Sequence, residues 1–158
     1  MKTLDTGTMF ELQTPAGLAY LQFVGEVENL GPLFRVLEGL YANSLGEDEL
    51  KKIANLPHQF MTFFPYVGAR RQKLARNVGV VAVPKRFAAL PPIINDLREF
   101  TGAFHIGFPT GEPELRLVEL SEEQKNYPEA GVPAADLLGE RIAAGWRPRD
   151  WYEKKRWK

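Results

Sequence analysis

The apolar residues of the chain fall into short runs with the two-residue period of β-strands. Met9 to Gln13 and Leu18 to Val27 are two such runs, joined at Thr14-Pro15-Ala16-Gly17. Proline presets φ for the first turn position, and glycine accepts the positive φ that other residues avoid. This segment therefore predicts a β-hairpin near the start of the chain.

A later run, Asn77 to Pro84, has apolar side chains at both sets of alternating positions. Because neighbouring side chains of a strand point to opposite faces, both faces of this run are expected to be covered. It therefore predicts a central strand around which the fold is packed. Residues 33–37 predict a further strand, at a sheet edge, with Arg35 facing solvent.

Helix signals are short and are interrupted by prolines. Ser44 and Glu47 have capping-box spacing before a helix that reaches about Asn55, and Ser121 repeats that spacing with Gln124. A turn or two of helix is predicted after Pro91-Pro92, and the best late helix runs from Pro133 to Gly145. Further strands are predicted at 59–64, 104–108 and 115–120.

The predicted fold class is α+β. Residues 1–158 form one domain, mainly an antiparallel twisted sheet or partly open barrel, with two to four short helices on its surface.

The composition narrows the class of protein. Twenty basic and twenty acidic residues cancel, so no global field favours nucleic acid or an acidic membrane surface. The absence of cysteine excludes disulfides, thiolate zinc sites and a cysteine nucleophile. No stretch approaches the ~20 apolar residues of a membrane helix, and the first residues lack a signal-peptide core. We expect a cytoplasmic protein.

Residues that could support catalysis are scattered. His58 and His105 have no metal-ligand spacing, and the chain has no nucleophile elbow, phosphate loop or dinucleotide fingerprint. Glu26, Glu28 and Glu38 lie near strand ends, where acid pairs are usually solvated. We expect no cofactor, no metal and a non-enzymatic protein. A small-molecule enzyme stays an alternative if a pocket joins a histidine to carboxylates.

Two basic segments are candidates for binding. The first holds four cations within seven residues: Arg70, Arg71, Lys73 and Arg76. Mixed basic runs are commonly solvated turns or short helices, and the functional alternative is a patch that binds a small anion or an acidic partner.

The second basic segment is a C-terminal arm at 147–158. All three tryptophans lie between residues 146 and 158, together with many of the cations. Trp, Tyr and Arg are enriched at protein hot spots, and the same residue types bind single-stranded nucleic acid. We expect Trp146 and Trp151 to pack on the domain. The candidate binding residues of the arm are Arg149, Tyr152 and Trp157.

Several short motifs between residues 6 and 95 resemble those of a known family. They are Thr6-Gly7-Thr8-Met9-Phe10-Glu11-Leu12, Gly17, Tyr20, Gly25-Glu26-Val27, Phe63-Phe64-Pro65-Tyr66, Asn77-Val78-Gly79, Val83-Pro84 and Pro91-Pro92. In these motifs the chain resembles the bacterial immunity protein twenty-six family of polymorphic toxin systems. It departs from the family at Arg76 and Asn77, where a tryptophan usually precedes the valine-glycine.

The resemblance implies a cytoplasmic, non-enzymatic protein whose partner is a cognate toxin domain. Such a protein neutralises the toxin by occlusion, through a few desolvated anchor residues. The family offers no fixed binding residues to transfer. The alternative is a nucleic-acid-binding accessory domain that uses the C-terminal arm, which the neutral total charge disfavours.

Overall fold

Eight strands and four short α-helices make up the chain in a computed structural model that describes residues 4–153. The strands form two antiparallel sheets, one of five strands in the order β4-β3-β2-β1-β5 and one of three in the order β6-β7-β8. The strands are β1 (Thr8–Thr14), β2 (Gly17–Val27), β3 (Gly31–Val36), β4 (Phe60–Phe63), β5 (Ala75–Val80), β6 (Ile93–Leu97), β7 (Ala103–Gly107) and β8 (Leu115–Leu117). The helices are α1 (Glu47–Ala54), α2 (Tyr66–Arg71), α3 (Arg98–Thr101) and α4 (Ala135–Ala143), with 3₁₀ turns at Lys85–Phe87, Gln124–Asn126 and Pro148–Trp151.

The predicted α+β class is confirmed, with twisted antiparallel sheets carrying short helices. The larger sheet is open, because its edge strands β4 and β5 do not pair with each other.

The N-terminal hairpin is confirmed. β1 and β2 pair in continuous register from Met9 to Thr14, and the turn closes at Gly17 with φ +133°. The Thr14 hydroxyl donates to the Gly17 carbonyl at 2.7 Å and accepts from the Ala16 N–H at 3.1 Å. The local turn residues therefore set the register of the two longest strands.

The core lies on both faces of β1, β2 and β3. On one face, Phe10, Leu12 and Phe34 pack against Leu138 and Ile142 of α4. The other face carries a separate cluster, in which side chains of the sheet pack under α1: Met9, Tyr20, Leu37, Leu50 and Ile53. The sequence predicted a strand buried on both faces at residues 77–84, but the strands that are buried on both faces are β1, β2 and β3.

The prediction of a central strand at residues 77–84 is wrong. β5 ends at Val80 and is an edge of the sheet, because β1 is the one strand that pairs with it among residues 4–153. The register with β1 shifts near Gly79, whose φ is +127°, and Val80 is 58% exposed. A run of valines is compatible with burial on both faces of a strand. Whether the strand is buried depends on which other elements pack beside it, and β5 lies at the edge of the sheet.

The prediction that Arg35 faces solvent at a sheet edge is also wrong. β4 pairs with β3 on the side away from β2, and Arg35 is fully buried. Its guanidinium donates to Gln22 Oε1 at 2.5 Å and to the carbonyls of Ala54 and Leu56 at 3.0 and 2.9 Å. Burial of a cation is tolerated here because these acceptors replace its water.

The helix predictions are borne out in part. Residues 93–97 form a strand, β6, and only Arg98–Thr101 is helical after it. α1 begins after Gly46 without a side-chain cap, so Ser44 does not cap it. The Ser121 and Gln124 side chains do exchange hydrogen bonds with each other's backbone N–H, at 3.2 and 2.8 Å.

The smaller sheet packs against the β4 side of the larger one. Ile93 of β6 lies in one cluster with Val27, Leu33 and Phe63 of the larger sheet. β5 is therefore the opposite edge of the larger sheet, and β8 is one edge of the smaller sheet.

Candidate functional site

An open cleft at the β5 edge is lined by three of the four cations of the first predicted basic segment, Arg70, Lys73 and Arg76, while Arg71 is not among its lining residues. α2 ends at Arg71, Lys73 reverses the chain with φ +59°, and β5 begins at Ala75. The small residues Ala69 and Ala75 are buried on either side of this turn. The cations between and beside them are therefore directed outward. The cleft measures about 500 Å³ and is lined by Glu11, Gln13, Arg70, Lys73, Leu74, Ala75, Arg76 and Asn77.

Arg76 is held in place by a buried carboxylate. Its Nε and Nη2 donate to the two oxygens of Glu11 at 2.9 and 3.3 Å, and its Nη2 also donates to Ser44 Oγ at 2.9 Å. The Tyr20 hydroxyl donates to the same carboxylate at 2.7 Å. Because Glu11 is only 6% exposed, the Arg76 guanidinium is fixed on a rigid base.

The ionisation of this cluster follows from the same contacts. Burial acts to raise the pKa of Glu11, but hydrogen bonds from Arg76 and Tyr20 outweigh it and hold that pKa below its usual value. Burial, with the nearby carboxylate, raises the pKa of Tyr20 to about 12. The hydrogen bond to Glu11 raises the pKa of Arg76. Glu11 is therefore ionised at neutral pH and balances one of the cations.

The positive charges of the other three cations of the segment have no acidic partner in the described part of the chain. Arg70, Arg71 and Lys73 are exposed, and within residues 4–153 their side chains make no ion pair or hydrogen bond. A second feature of the sequence also indicates that this surface is positively charged. No Asp or Glu occurs between Glu49 and Asp96, an interval that contains eight cations. The β5 edge is therefore a surface of local positive charge on a neutral chain.

The described part of the C-terminal arm, residues 147–153, contacts the rest of the domain. Arg149 is paired with Glu122 and with Glu153, and the Tyr152 ring stacks edge-on against Phe104 at 5.6 Å. Burial raises the pKa of Tyr152. Neither Arg149 nor Tyr152 lines the basic cleft, and Trp157 lies outside the described residues.

The tryptophans of the arm differ in burial. Trp146 is 6% exposed and contacts Phe60 of β4 edge-on, with 5.4 Å between ring centroids, which confirms the predicted packing. Trp151 is 47% exposed, so the same prediction is wrong for that residue. The reason is position: Trp146 follows α4 directly and lies over β4, while Trp151 ends a 3₁₀ turn at the rim of a separate cleft.

The two histidines have different surroundings. His58 Nδ1 accepts from Arg35 Nε at 3.1 Å, and burial, assisted by the Arg35 charge, lowers the pKa of His58 to about 4. His105 lies 2.7 Å from Glu114 through Nδ1 and 2.9 Å from Thr101 Oγ1 through Nε2. Among residues 4–153, no group of three His, Asp or Glu side chains could hold a metal ion.

No match to the chain was found among models of known protein families, curated proteins or solved structures. In the described part of the chain, none of the helices has the length and apolar character needed to cross a membrane. The fold and site together define an α+β protein with a basic, open cleft on one sheet edge.

Proposed function

We propose that this chain is a non-enzymatic binding protein that neutralises an acidic toxin domain by covering its surface. The observation that carries the proposal is a group of three exposed cations, Arg70, Arg71 and Lys73, which have no side-chain partner within residues 4–153 and lie beside the anchored Arg76. Guanidinium groups bind carboxylates through paired hydrogen bonds, so a cleft lined by them suits Asp and Glu side chains of a partner.

The anchoring of Arg76 supports binding through a preformed surface. Its guanidinium is already oriented by Glu11 and Ser44, so contact with a partner costs little further side-chain entropy. Arg70 and Lys73 add positive charge that attracts an acidic partner during the encounter and raises the association rate.

The choice of a toxin as partner rests on the sequence resemblance in residues 6–95. Immunity proteins act by covering the toxin, which requires a rigid surface and no cofactor. A cytoplasmic location belongs to the same proposal, because a toxin must be met where it acts.

The test measures binding of the full chain to the polypeptide encoded by the gene directly upstream of its own. We expect a complex without added cofactor. The double variant R70E/K73E should raise Kd at least about tenfold, mainly through a slower association rate. The matched control K52E/K85E reverses two exposed cations that do not line the cleft and should change Kd less than about threefold.

Three results would contradict the proposal. One is the absence of a complex, and another is equal weakening by the two double variants. The third is tight binding of a single-stranded oligonucleotide that weakens steeply with salt, which would favour the nucleic-acid alternative.

A further inference from the structure

β8 leaves the second sheet with an open edge. It pairs with β7 on one side, and no strand lies beyond it among residues 4–153. The direction in which the N–H and C=O groups of β8 point can be worked out from the hydrogen bonds of β6, at the opposite edge of the sheet. There the Ile94 N–H and C=O bond to Pro128 and Ala130, so the backbone of Ile94 points away from β7.

Backbone groups of successive strand residues alternate between the two edges. His105 pairs with the residue after Ile94, so its backbone points to β6, and its neighbours Phe104 and Ile106 point to β8. These two pair with Leu117 and Leu115. The N–H and C=O groups of Glu114 and Arg116 therefore point to the open edge, and within residues 4–153 they make no hydrogen bond.

The edges at β5 and β8 differ in how they are protected. Natural edge strands resist pairing through bulges, charged side chains or proline. β5 has a register shift and four neighbouring cations, whereas β8 pairs with β7 without a shift. Leu115 is 44% exposed, and Val118, directly after the strand, is 77% exposed. The β8 edge thus offers backbone groups and apolar side chains together.

The sequence of the open edge is complementary to itself. In Glu114-Leu115-Arg116, an acid and a base lie on either side of an apolar residue. When two such segments run antiparallel about a twofold axis at Leu115, each Glu114 lies opposite Arg116 of the partner subunit. Both residues of that pair turn their backbone groups to the edge, so the pair can also exchange hydrogen bonds. A register centred on Arg116 would instead place two cations together, which is unfavourable.

The side chains leave room for this pairing. Glu114 Oε1 is 2.7 Å from His105 Nδ1 and 3.5 Å from Arg116 Nε, and the Glu114 side chain is 49% exposed. The Arg116 side chain is 70% exposed. Both groups can therefore reach a second chain without breaking the contact to His105.

We propose that two copies of the chain form a twofold dimer through antiparallel pairing of β8, which joins the two three-stranded sheets into one of six strands. Isologous contacts of this kind are the commonest way in which soluble proteins dimerise. The dimer uses a different edge from the basic cleft, so it neither requires nor excludes toxin binding.

Sedimentation velocity of the full chain over a concentration series tests the dimer. We expect a monomer–dimer equilibrium, in which R116E or E114R alone raises the dimer Kd at least about tenfold, because each places like charges opposite each other twice. The control K85E reverses an exposed cation far along the chain from β8 and should leave the dimer unchanged.

A mixture of the two variants separates the proposed register from a general loss of stability. In a heterodimer of R116E and E114R, one chain carries acids at positions 114 and 116 and the other carries bases at both positions. Each of the two cross-strand pairs therefore joins an acid to a base. The mixture should therefore dimerise as tightly as the unaltered chain, and this result also shows that both variants are folded. If the chain stays monomeric at all concentrations up to about 100 µM, any dimer is weaker than that concentration range can populate, and the proposal is overturned. Unchanged dimers in the single variants, or no recovery in the mixture, would overturn it as well.

Discussion

At the scale of single residues, the most informative side chain is the buried Arg35. No carboxylate pairs with it within residues 4–153, and its donors are satisfied by carbonyls, Gln22 and the ring of His58. The Phe87 ring also lies over the guanidinium carbon at 4.4 Å. Burial, with repulsion from Arg86, lowers the pKa of Arg35 to about 10. The arrangement keeps a charge inside the fold by giving each of the three guanidinium nitrogens at least one acceptor.

This arrangement predicts a dependence of stability on pH through His58. The pKa of His58 is lowered to about 4 in the folded chain, against 6.5 for a free histidine. Between these values the unfolded chain binds the extra proton, so the free energy of unfolding falls as pH falls from about 6.5 to 4, by at most about 1.4 kcal/mol per pH unit. Protonation would also place a second cation against Arg35.

The variant H58N isolates this effect, because an Asn oxygen can accept from Arg35 without titrating. Urea unfolding at several pH values should show a flatter slope for H58N than for the unaltered chain between pH 4 and 6.5. Equal slopes in the two proteins would show that His58 is not held neutral by burial.

At the scale of elements, the hairpin turn and α2 contain glycines with opposite roles. Gly17 has φ +133°, and an added Cβ would lie 2.9 Å from the Tyr41 carbonyl oxygen. Gly68 lies inside α2, with open space around the position of a Cβ. The first glycine is required by its backbone and its neighbour, while the second only lowers helix propensity.

The two alanine variants should therefore change stability in opposite directions. G17A is expected to lower the free energy of unfolding by about 1–3 kcal/mol, through strain and the contact with Tyr41. G68A is expected to raise it by about 0.5–1 kcal/mol. Thermal unfolding followed by circular dichroism measures both. A G17A chain as stable as the original would contradict the described turn.

At the scale of the whole molecule, the C-terminal segment joins parts that are distant in sequence. Trp146 packs on β4 of the larger sheet, and Arg141 lies over its ring at 4.5 Å. A few residues later, Tyr152 packs on β7 of the smaller sheet. The segment therefore ties both sheets together, which explains why Trp146 is buried and Tyr152 is partly buried.

Truncation of the two tryptophans should separate structural from surface roles. W146A removes a buried ring between α4 and β4 and is expected to cost about 3–5 kcal/mol of stability. W151A changes a side chain that is 47% exposed, and we expect a loss below about 1 kcal/mol. Denaturant unfolding provides the comparison, and similar losses for the two variants would contradict the packing of the arm.

The charges of the whole chain are neutral in sum but unevenly distributed. The interval without acids, residues 50–95, includes α2 and β5, while ten acids lie between residues 96 and 140, mostly around the smaller sheet. The cleft at β5 therefore carries local positive charge that a net charge of zero conceals.

The sequence by itself determined the elements whose cause is local. The first hairpin is fixed by Pro15 and Gly17, and the last helix by its spacing and by Gly145, because turn and cap chemistry act within a few residues. The four cations from Arg70 to Arg76 could be identified in the same way. The contacts of these cations could not be predicted from the sequence, because Arg76 pairs with Glu11, which lies 65 positions away in the chain.

Only the tertiary structure decided which strands are central and which side chains are covered. The valines of β5 suit an inner strand, but β1 has β2 on its other side, and among residues 4–153 no strand pairs with the outer edge of β5. Arg35 is buried because α1 and β2 bring acceptors to it from distant positions. Burial depends on which neighbours arrive, and a run of residues does not contain that information.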